Sequence, residues 1–215
     1  MRWLYSLCIC FFFLSAGVDE ANARSIYFDK YSAEDGMTSN WVHRIEQDSC
    51  GHIWATTDFG ISRFDGKFFK KFVRSNYPSM MQDELHEVKS YPDGSFFVGG
   101  NAGALLKYNP VKDCFEDYSP VDFQTTYLKQ VDGFYLLRDQ RKLAFTSGGI
   151  YFLDEKKGGF SNDFPAFDAF KDYYILSFYE DRFGRFWIAS FNTLIITTPD
   201  GTVVKKMDLG RDLES

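Results

Sequence analysis

The stretch that decides the fold is IEQDSCGHIWATTDFGISRFDGKFFKKF, residues Ile45 to Phe72. It is echoed at Tyr179 to Val203, YEDRFGRFWIASFNTLIITTPDGTV. The two copies share, at the same spacing, an Asp, a Gly and a Trp: Asp48, Gly51 and Trp54, then Asp181, Gly184 and Trp187. A fainter copy, aligned on Gly94 and Phe97, lies between them. A period of about 44 residues is typical of propeller blades, so the sequence predicts an all-β protein built as a β-propeller.

Turn signals divide each copy into four short strands, because Asp and Gly tolerate the backbone geometry of tight turns. The pattern predicts about four four-stranded blades, at residues 42–72, 84–118, 133–161 and 175–207, of which the third is the weakest match. One more strand is predicted at Ser25 to Tyr31. The last predicted blade already has a fourth strand, so this leading strand lacks a partner. Residues 24–215 are therefore interpreted as an incomplete part of a larger propeller.

The first 23 residues are predicted to form a signal peptide. An apolar run, Trp3 to Leu14, follows Arg2, and Ala21 to Ala23 supplies an A-x-A cleavage pattern. The alternative is an uncleaved membrane anchor, although the run is short for a bilayer span. No later stretch of the sequence is apolar enough to span a membrane, so the mature chain is expected to be periplasmic.

Charge and composition argue against several classes of function. The formal net charge is −6, and no basic stripe is present, so neither nucleic acid nor an anionic membrane is an expected partner. Cys50 and Cys114 fall on predicted turns of different blades, which leaves both two free thiols and a disulfide open. The chain is rich in aromatic residues, with 24 Phe, 13 Tyr and 4 Trp, which suits packing between stacked sheets and also carbohydrate binding.

The segment that starts at Tyr31, YSAEDGMTSNWVHRIEQDSCGHIWATTDFGISRFDGKFFKKF, resembles the opening blade of the two-component regulator propeller family. The positions that carry the resemblance are Asp35-Gly36, Thr38 to Asn40, Val42 to Ile45, Asp48, Gly51, Trp54, Gly60-Ile61 and Phe64. The likeness covers roughly residues 26–209 and is strongest in the first and last blades. It implies the N-terminal periplasmic sensor part of a hybrid two-component system histidine kinase of the Bacteroidota type, which detects glycan fragments. The kinase activity of a full-length member would lie outside these residues.

A ligand of a propeller is expected at the loops that enter each first strand and those between the second and third strands. These loops supply six candidate ligand-binding residues: Asn40, Trp41, His43, Asp58, Asn101 and Asn192. Trp41 is the most attractive, since an exposed ring beside polar groups suits stacking on a sugar, although packing against a neighbouring blade is the alternative. The repeated Trp54 and Trp187 are expected to pack between blades.

The sequence shows no catalytic or metal-binding motif. The acidic pairs Glu34-Asp35 and Glu180-Asp181 do not place two carboxylates across one substrate. His43, His52 and His86 are widely spaced and lack partners at ligand spacing, so neither a metal nor another cofactor is expected. The predicted function is a non-catalytic, ligand-sensing propeller fragment. An oligosaccharide is its expected ligand, and further blades or another chain are expected at its open edge.

Two other functions stay open at this point. One is an exported propeller enzyme, a lyase or hydrolase of carbohydrate. The other is a structural propeller that serves protein interaction.

Overall fold

The computed structural model describes residues 27–80, 82–120, 130–163, 167, 170, 171 and 173–210. Contacts divide the chain into two units, Met1–Lys30 and Tyr31–Ser215. The described part of the first unit, residues 27–30, contains no helix or strand. The predicted signal peptide, residues 1–23, lies outside the described residues. Within the described ranges, no helix combines the length and the apolar character that a membrane span requires.

The described part of the second unit folds into four antiparallel sheets of four strands each. Blade 1 contains β1 (Val42–Gln47), β2 (Ile53–Thr57), β3 (Gly60–Phe64) and β4 (Phe69–Phe72). Blade 2 contains β5 (Leu85–Ser90), β6 (Phe96–Gly100), β7 (Leu105–Asn109) and β8 (Cys114–Asp117). Blade 3 contains β9 (Val131–Leu136), β10 (Lys142–Thr146), β11 (Gly149–Asp154) and β12 (Gly159–Ser161). Blade 4 contains β13 (Ser177–Glu180), β14 (Phe186–Ala189), β15 (Thr193–Thr197) and β16 (Val203–Asp208).

In every blade the strands pair in chain order, so that each sheet is an antiparallel meander. The short 3-10 helices Ala33–Asp35 and Asn101–Gly103 lie outside the sheets. The prediction of an all-β propeller with about four four-stranded blades is confirmed.

The turn between the first and second strands is the same in all four blades. In each turn the backbone N–H of the fourth residue donates to the carbonyl of the first residue, over 2.9–3.0 Å. The donors, all with positive φ, are Gly51 (89°), Gly94 (81°), Gln140 (70°) and Gly184 (77°). Blade 3 therefore keeps the backbone of the repeat although Gln replaces its Gly. The weak sequence match of that blade reflects changed side chains and not a changed fold.

The hydrophobic core consists of separate clusters at the junctions between consecutive blades, because a single twisted sheet cannot bury both of its faces. In each of blades 1 to 3, the second residue of the second strand faces the next blade. Trp54 lies in the cluster of blades 1 and 2, Phe97 in that of blades 2 and 3, and Leu143 in that of blades 3 and 4. All three side chains are fully buried. The expectation that Trp54 packs between blades is met.

The predicted leading strand is wrong for the part that the structure describes, because residues 27–31 form no strand. Ser25 and Ile26 lie outside the described residues. The Tyr31 ring packs on Phe64 and Phe69 of blade 1, with centroids 4.9 and 5.6 Å away. The next residue, Ser32, caps the first 3-10 helix, and its backbone N–H donates to Asp35 Oδ2 over 2.8 Å. Because the backbone N–H of Ser32 bonds this cap, it is not available to pair with a neighbouring strand.

The two cysteines of the described residues are both free thiols. Cys50 is exposed and Cys114 is partly buried. Of the two alternatives that the sequence leaves open, the structure therefore shows the unpaired one.

Candidate ligand-binding site

A β-bulge interrupts the first strand of blades 1, 2 and 3 at the same place. The pairing of β1 with β2 skips His43, that of β5 with β6 skips His86, and that of β9 with β10 skips Asp132. A bulged residue is left out of the ladder, and its side chain is aimed in a new direction. Leu176 holds the equivalent position just before β13. These four residues are called the bulge ring below.

All four residues of the bulge ring line one cavity of about 320 Å³. The rest of its wall comes from Arg44, Glu87 and Gln130. The fold thus brings the first strands of successive blades together, and the bulges turn their polar side chains toward a shared space. The cavity lining is mostly polar, and Leu176 supplies its small apolar part.

Two histidines of the bulge ring lie against each other. The ring centroids of His43 and His86 are 4.3 Å apart. His43 Nε2 is 2.6 Å from Asp58 Oδ1, within hydrogen-bonding distance, while His86 Nε2 is 3.6 Å from Glu84 Oε1. Burial lowers the pKa of His86, and the neighbouring His43 lowers it further, against the attraction of Glu84 and Asp58. His86 is therefore neutral at pH 7, and its ring can donate or accept one hydrogen bond at each nitrogen according to its tautomer.

Two carboxyl groups of the cavity have raised pKa values. Burial raises the pKa of Glu87, and the hydrogen bond that Arg44 Nε donates to Glu87 Oε2 over 3.2 Å opposes that rise. Burial also raises the pKa of Asp132, to about 6; the hydrogen bond from Tyr174 opposes the shift and the charge of Glu87 adds to it. The Tyr174 hydroxyl donates to Asp132 Oδ1 over 3.2 Å. The cavity therefore holds one carboxyl group that titrates near neutral pH.

The structure brings three of the six predicted site residues to this region. His43 and Asp58 are bonded to each other, and the Asn101 side chain lies beside His86. Trp41 is 69% exposed and precedes His43 by two residues, so its ring is free of the blade packing that was the alternative.

The remaining two predicted residues serve the local backbone or lie at an exposed turn. The side-chain oxygen of Asn40 accepts a hydrogen bond from the N–H of Ala33 over 2.6 Å. Asn192 is exposed, and its carbonyl accepts from the N–H of Leu209 over 2.7 Å. Ligand binding by any of the six residues stays a prediction.

Sequence reasoning missed every cavity residue except His43, and also Tyr174, which bonds Asp132; the missed wall residues are Arg44, His86, Glu87, Gln130, Asp132 and Leu176. His86 stands in blade 2 where His43 stands in blade 1, at the separation that also relates Gly94 to Gly51. That shared separation was the available signal. Asp132 has no comparable signal, because blade 3 has lost the Gly and the aromatic residue that anchor the alignment.

The described residues contain no group of three or more His, Cys, Asp or Glu side chains arranged to hold a metal ion. His52, the third histidine of the chain, lies outside the cavity wall and bonds the turn of blade 1, with its Nδ1 3.0 Å from Asp48 Oδ2.

Comparison with known proteins identifies the repeat. The sequence model of a family described as "Two component regulator propeller" matches residues 169–192, which include β13 and β14. The match falls on blade 4, one of the two blades where the resemblance is strongest. A curated relative, histidine kinase P4 of Formosa agariphila, is 36% identical over 62 residues, which cover 29% of this chain and 4% of that protein.

Solved structures share the fold. The extracellular domain of the putative hybrid two component system BT3049 from B. thetaiotaomicron is 25% identical, with a TM-score of 0.66 over 81% of this chain. The corresponding domain of BT4673 is 14% identical, with a TM-score of 0.59 over 78% of this chain. PorZ of Porphyromonas gingivalis, a surface component of the type-IX secretion system, is 13% identical, with a TM-score of 0.61 over 88% of this chain.

The chain spans 26%, 23% and 30% of those three structures, respectively, so it corresponds to about a quarter of their length. The two structures below 25% identity support the assignment of the fold and nothing beyond it. The family match and the likeness to BT3049 support the same family resemblance as the motif residues around Trp54 and Trp187. Residues 169–192 therefore match the repeat of two-component regulator propellers, and the chain shares the fold of the extracellular domains of hybrid two-component systems.

Proposed function

We propose that this chain is a non-catalytic, ligand-sensing part of a periplasmic two-component sensor, and that its bulge-ring cavity binds an oligosaccharide. One observation carries the proposal: three successive blades break their first strand at the same place, and each break turns a polar side chain into one cavity. A bulge interrupts the strand ladder, and bulges are frequent beside functional sites. The same position in a purely structural propeller has no need of His43, His86 and Asp132.

The chemistry of the cavity suits a sugar. It offers imidazole and carboxyl groups for hydrogen bonds to hydroxyls, and Leu176 adds a small apolar contact. Trp41, largely exposed and two residues before His43, offers a ring on which a sugar face can stack. Binding sites of small ligands commonly combine such apolar surface with a few placed polar groups.

The test is calorimetric titration of the purified chain with a panel of oligosaccharides, followed by chromatography of each mixture after long incubation. We expect at least one glycan to bind and to be recovered intact. His43→Ala and Trp41→Ala should each weaken that binding, whereas Glu155→Ala, an exposed change on blade 3, should not. Binding that both cavity variants leave unchanged would place the ligand elsewhere on the molecule.

A second candidate, a carbohydrate lyase or hydrolase, is favoured by one feature. Glu87 and Asp132 line the same cavity with raised pKa values, as catalytic acids often do. The chromatography distinguishes the candidates, because an enzyme consumes its glycan while a sensor releases it unchanged. Glycan consumption that Asp132→Asn abolishes would replace the sensor proposal with the enzyme.

Export is also part of the proposal, since the solved relatives of the hybrid systems are extracellular domains. Residues 1–23 are proposed to direct it as a cleaved signal peptide. Fusion of these residues to a reporter that is active only outside the cytoplasm should give activity and a processed N-terminus at Arg24. An inactive or unprocessed fusion would contradict this assignment.

We further propose that the outer face of blade 4 packs against further blades or another chain. Trp187 holds the position that Trp54, Phe97 and Leu143 use to face the next blade, yet it is only partly buried. Sedimentation of the wild-type chain and of Trp187→Lys tests this directly. A wild-type chain that is monomeric at all concentrations would leave no role for an association through this face.

A further inference from the structure

Two polar atoms at the cavity wall have no hydrogen-bond partner among the described residues. They are His86 Nε2 and Asp132 Oδ2, and both are buried. Buried polar atoms of folded proteins are nearly always paired, so an unpaired one calls for an explanation such as a bound molecule. Here the two atoms belong to consecutive blades and to the same cavity. The His86 side chain as a whole keeps 19% of its surface exposed, while its Nε2 atom is buried.

The charges of the cavity argue against an anionic ligand. Each basic side chain of the wall has a carboxylate of the protein within 4 Å: Asp58 for His43, Glu87 for Arg44 and Glu84 for His86. A sulfate or carboxylate group of a ligand would therefore find the guanidinium of Arg44 already paired with Glu87. It would also meet Asp132, which has Tyr174 as a donor but no basic partner among the described ion pairs.

The remaining member of the bulge ring is apolar. Leu176 is 41% exposed and takes, in blade 4, the place of the histidines and the aspartate. The ring therefore presents polar groups on three blades and a small apolar contact on the fourth. A pyranose offers hydroxyls at its rim to such polar groups and C–H groups on its faces to such a contact.

We propose that His86 and Asp132 are the specificity-determining pair of the cavity, and that they select a neutral, polyhydroxylated ligand by hydrogen-bonding its hydroxyls. The inference rests on the proposed glycan site. A ligand hydroxyl donates to Asp132 Oδ2 and a hydroxyl accepts from His86 Nε2–H, so that both unpaired atoms are satisfied. Leu176 contacts a C–H face of the same sugar.

The ionisation of Asp132 gives this geometry a pH signature. The Asp132 carboxyl contacts Tyr174, before β13, and shares the cavity wall with His86 and Glu87 on β5 and with His43 and Arg44 on β1. A donated hydroxyl proton favours the ionised carboxylate. Because the pKa of Asp132 is raised to about 6, the carboxylate is mostly ionised at pH 7.5 and mostly protonated at pH 5. The affinity should therefore fall about tenfold over that interval, and Asp132→Asn should remove this part of the dependence.

The experiment titrates the purified chain with neutral hexasaccharides (maltohexaose, xylohexaose and laminarihexaose) and with acidic ones (hexagalacturonate and a sulfated heparin hexasaccharide). We expect a neutral probe to bind best. His86→Ala and Asp132→Asn should each raise its Kd by about 10- to 100-fold, the usual effect of losing a hydrogen bond to such a group. Asp139→Asn, an exposed change on the same blade as Asp132, is the matched control and should leave the Kd within about twofold.

The outcomes separate the two proposals. If no probe binds the wild-type chain, the glycan site itself is wrong and this inference falls with it. If a neutral probe binds but His86→Ala and Asp132→Asn leave its Kd unchanged, the selecting pair is wrong while the site stands. Preference for an acidic probe overturns the neutral selectivity alone. Thermal unfolding of each variant, with His86→Gln as a milder second change, separates lost binding from lost folding.

Discussion

Trp54 and Trp187 occupy the same position of the same repeat and yet lie in different surroundings. Each indole N–H donates to the carboxylate of the preceding turn, over 2.7 Å from Trp54 to Asp48 and over 3.1 Å from Trp187 to Asp181. Trp54 is fully buried in the cluster that blades 1 and 2 share, whereas Trp187 is partly exposed. The repeat thus encodes the turn and the indole bond locally, while the adjacent blade decides how much each Trp contributes to stability.

The junction of blades 1 and 2 also contains a cluster of polar contacts that blade 4 does not repeat at the same positions. The cluster, called the polar lock below, consists of Arg63, Lys70, Tyr108 and Asp113. Arg63, opposite Trp54 on β3, lies over the indole at 5.3 Å and donates to Asp113 Oδ1 over 2.8 Å. Lys70 and the Tyr108 hydroxyl bond the same carboxylate. In blade 4 the residue opposite Trp187 is Ile196. Blades 1 and 2 are therefore joined by charge as well as by apolar packing.

The largest expected effect is a difference between the two tryptophans. Trp54→Ala should lower the free energy of unfolding by about 3–5 kcal/mol, because it leaves a cavity in a closed aromatic cluster. Trp187→Ala should cost about 1 kcal/mol, because its site is partly open and can adjust. Urea unfolding followed by circular dichroism measures both, provided that the slope with urea is unchanged. Equal losses would mean that the adjacent blade does not set the contribution of this position.

The next effect concerns the polar lock. Asp113→Asn keeps a residue type that tolerates the positive φ of 51° at this position, but it removes the negative charge. Arg63 and Lys70 then lose their common carboxylate, so we expect a loss of about 1–2 kcal/mol in the free energy of unfolding. Glu155→Ala, exposed and remote from the lock, should change it by less than about 0.5 kcal/mol. An unaltered stability of Asp113→Asn would show that apolar packing alone holds the junction.

Acid should weaken the same lock. Burial works against the ionised Asp113, but the hydrogen bonds from Lys70, Tyr108 and Arg63 outweigh it and lower its pKa to about 2. A carboxyl whose pKa is lower in the folded than in the unfolded state stabilises the fold above its unfolded pKa, near 4, and loses that contribution as the pH falls toward 2. Urea unfolding at pH 5, 4, 3 and 2 should show this loss, with a shallower slope in Asp113→Asn. Parallel slopes would remove Asp113 from the acid response.

The smallest expected effect compares the shared turn in blades 2 and 3. Gln140 holds a φ of 70° that costs a residue with a side chain, whereas Gly94 holds its 81° without that cost. Gln140→Gly should therefore stabilise the chain by up to about 0.5–1 kcal/mol, and Gly94→Ala should destabilise it by a similar amount. Space does not interfere at Gly94, since the nearest atom to an added Cβ would be Ser49 Oγ at 4.0 Å. Thermal unfolding in parallel measures both changes, and equal signs would contradict the strain argument.

Much of the fold could be predicted from the sequence because its signals are local. Turn residues such as Asp48 and Gly51 act over a few positions, and their repetition sets the number of strands in a blade. Blade 3 was the weakest prediction because Leu137 and Gln140 replace the turn residues, and Leu143 replaces the Trp. The replacements by Leu137 and Leu143 are linked. Blades 1 and 4 have a hydrogen bond between Asp and Trp at these positions, whereas blade 3 has Leu137 and Leu143 in one apolar cluster.

The candidate site was only partly predictable. His43 and Asp58 stand in loops that propeller geometry singles out, and they are bonded in the structure. A bulge, in contrast, leaves no mark in the sequence that distinguishes it from an ordinary strand residue. The contact of His43 with His86, and the burial that raises the pKa of Asp132, depend on how three strands from distant segments meet.

By itself, the sequence determined the repeat unit and the four-stranded blade, since these follow from short-range turn chemistry, and its motif residues carried the family resemblance. Only the tertiary structure decided which Trp is buried, which residues of the first strands share a cavity, and which charges there are neutralised. The physical reason is that burial and charge pairing depend on neighbours that are far apart in the chain. Trp54 and Trp187 lie in the same local sequence motif, and the blades around them determine how deeply each is buried.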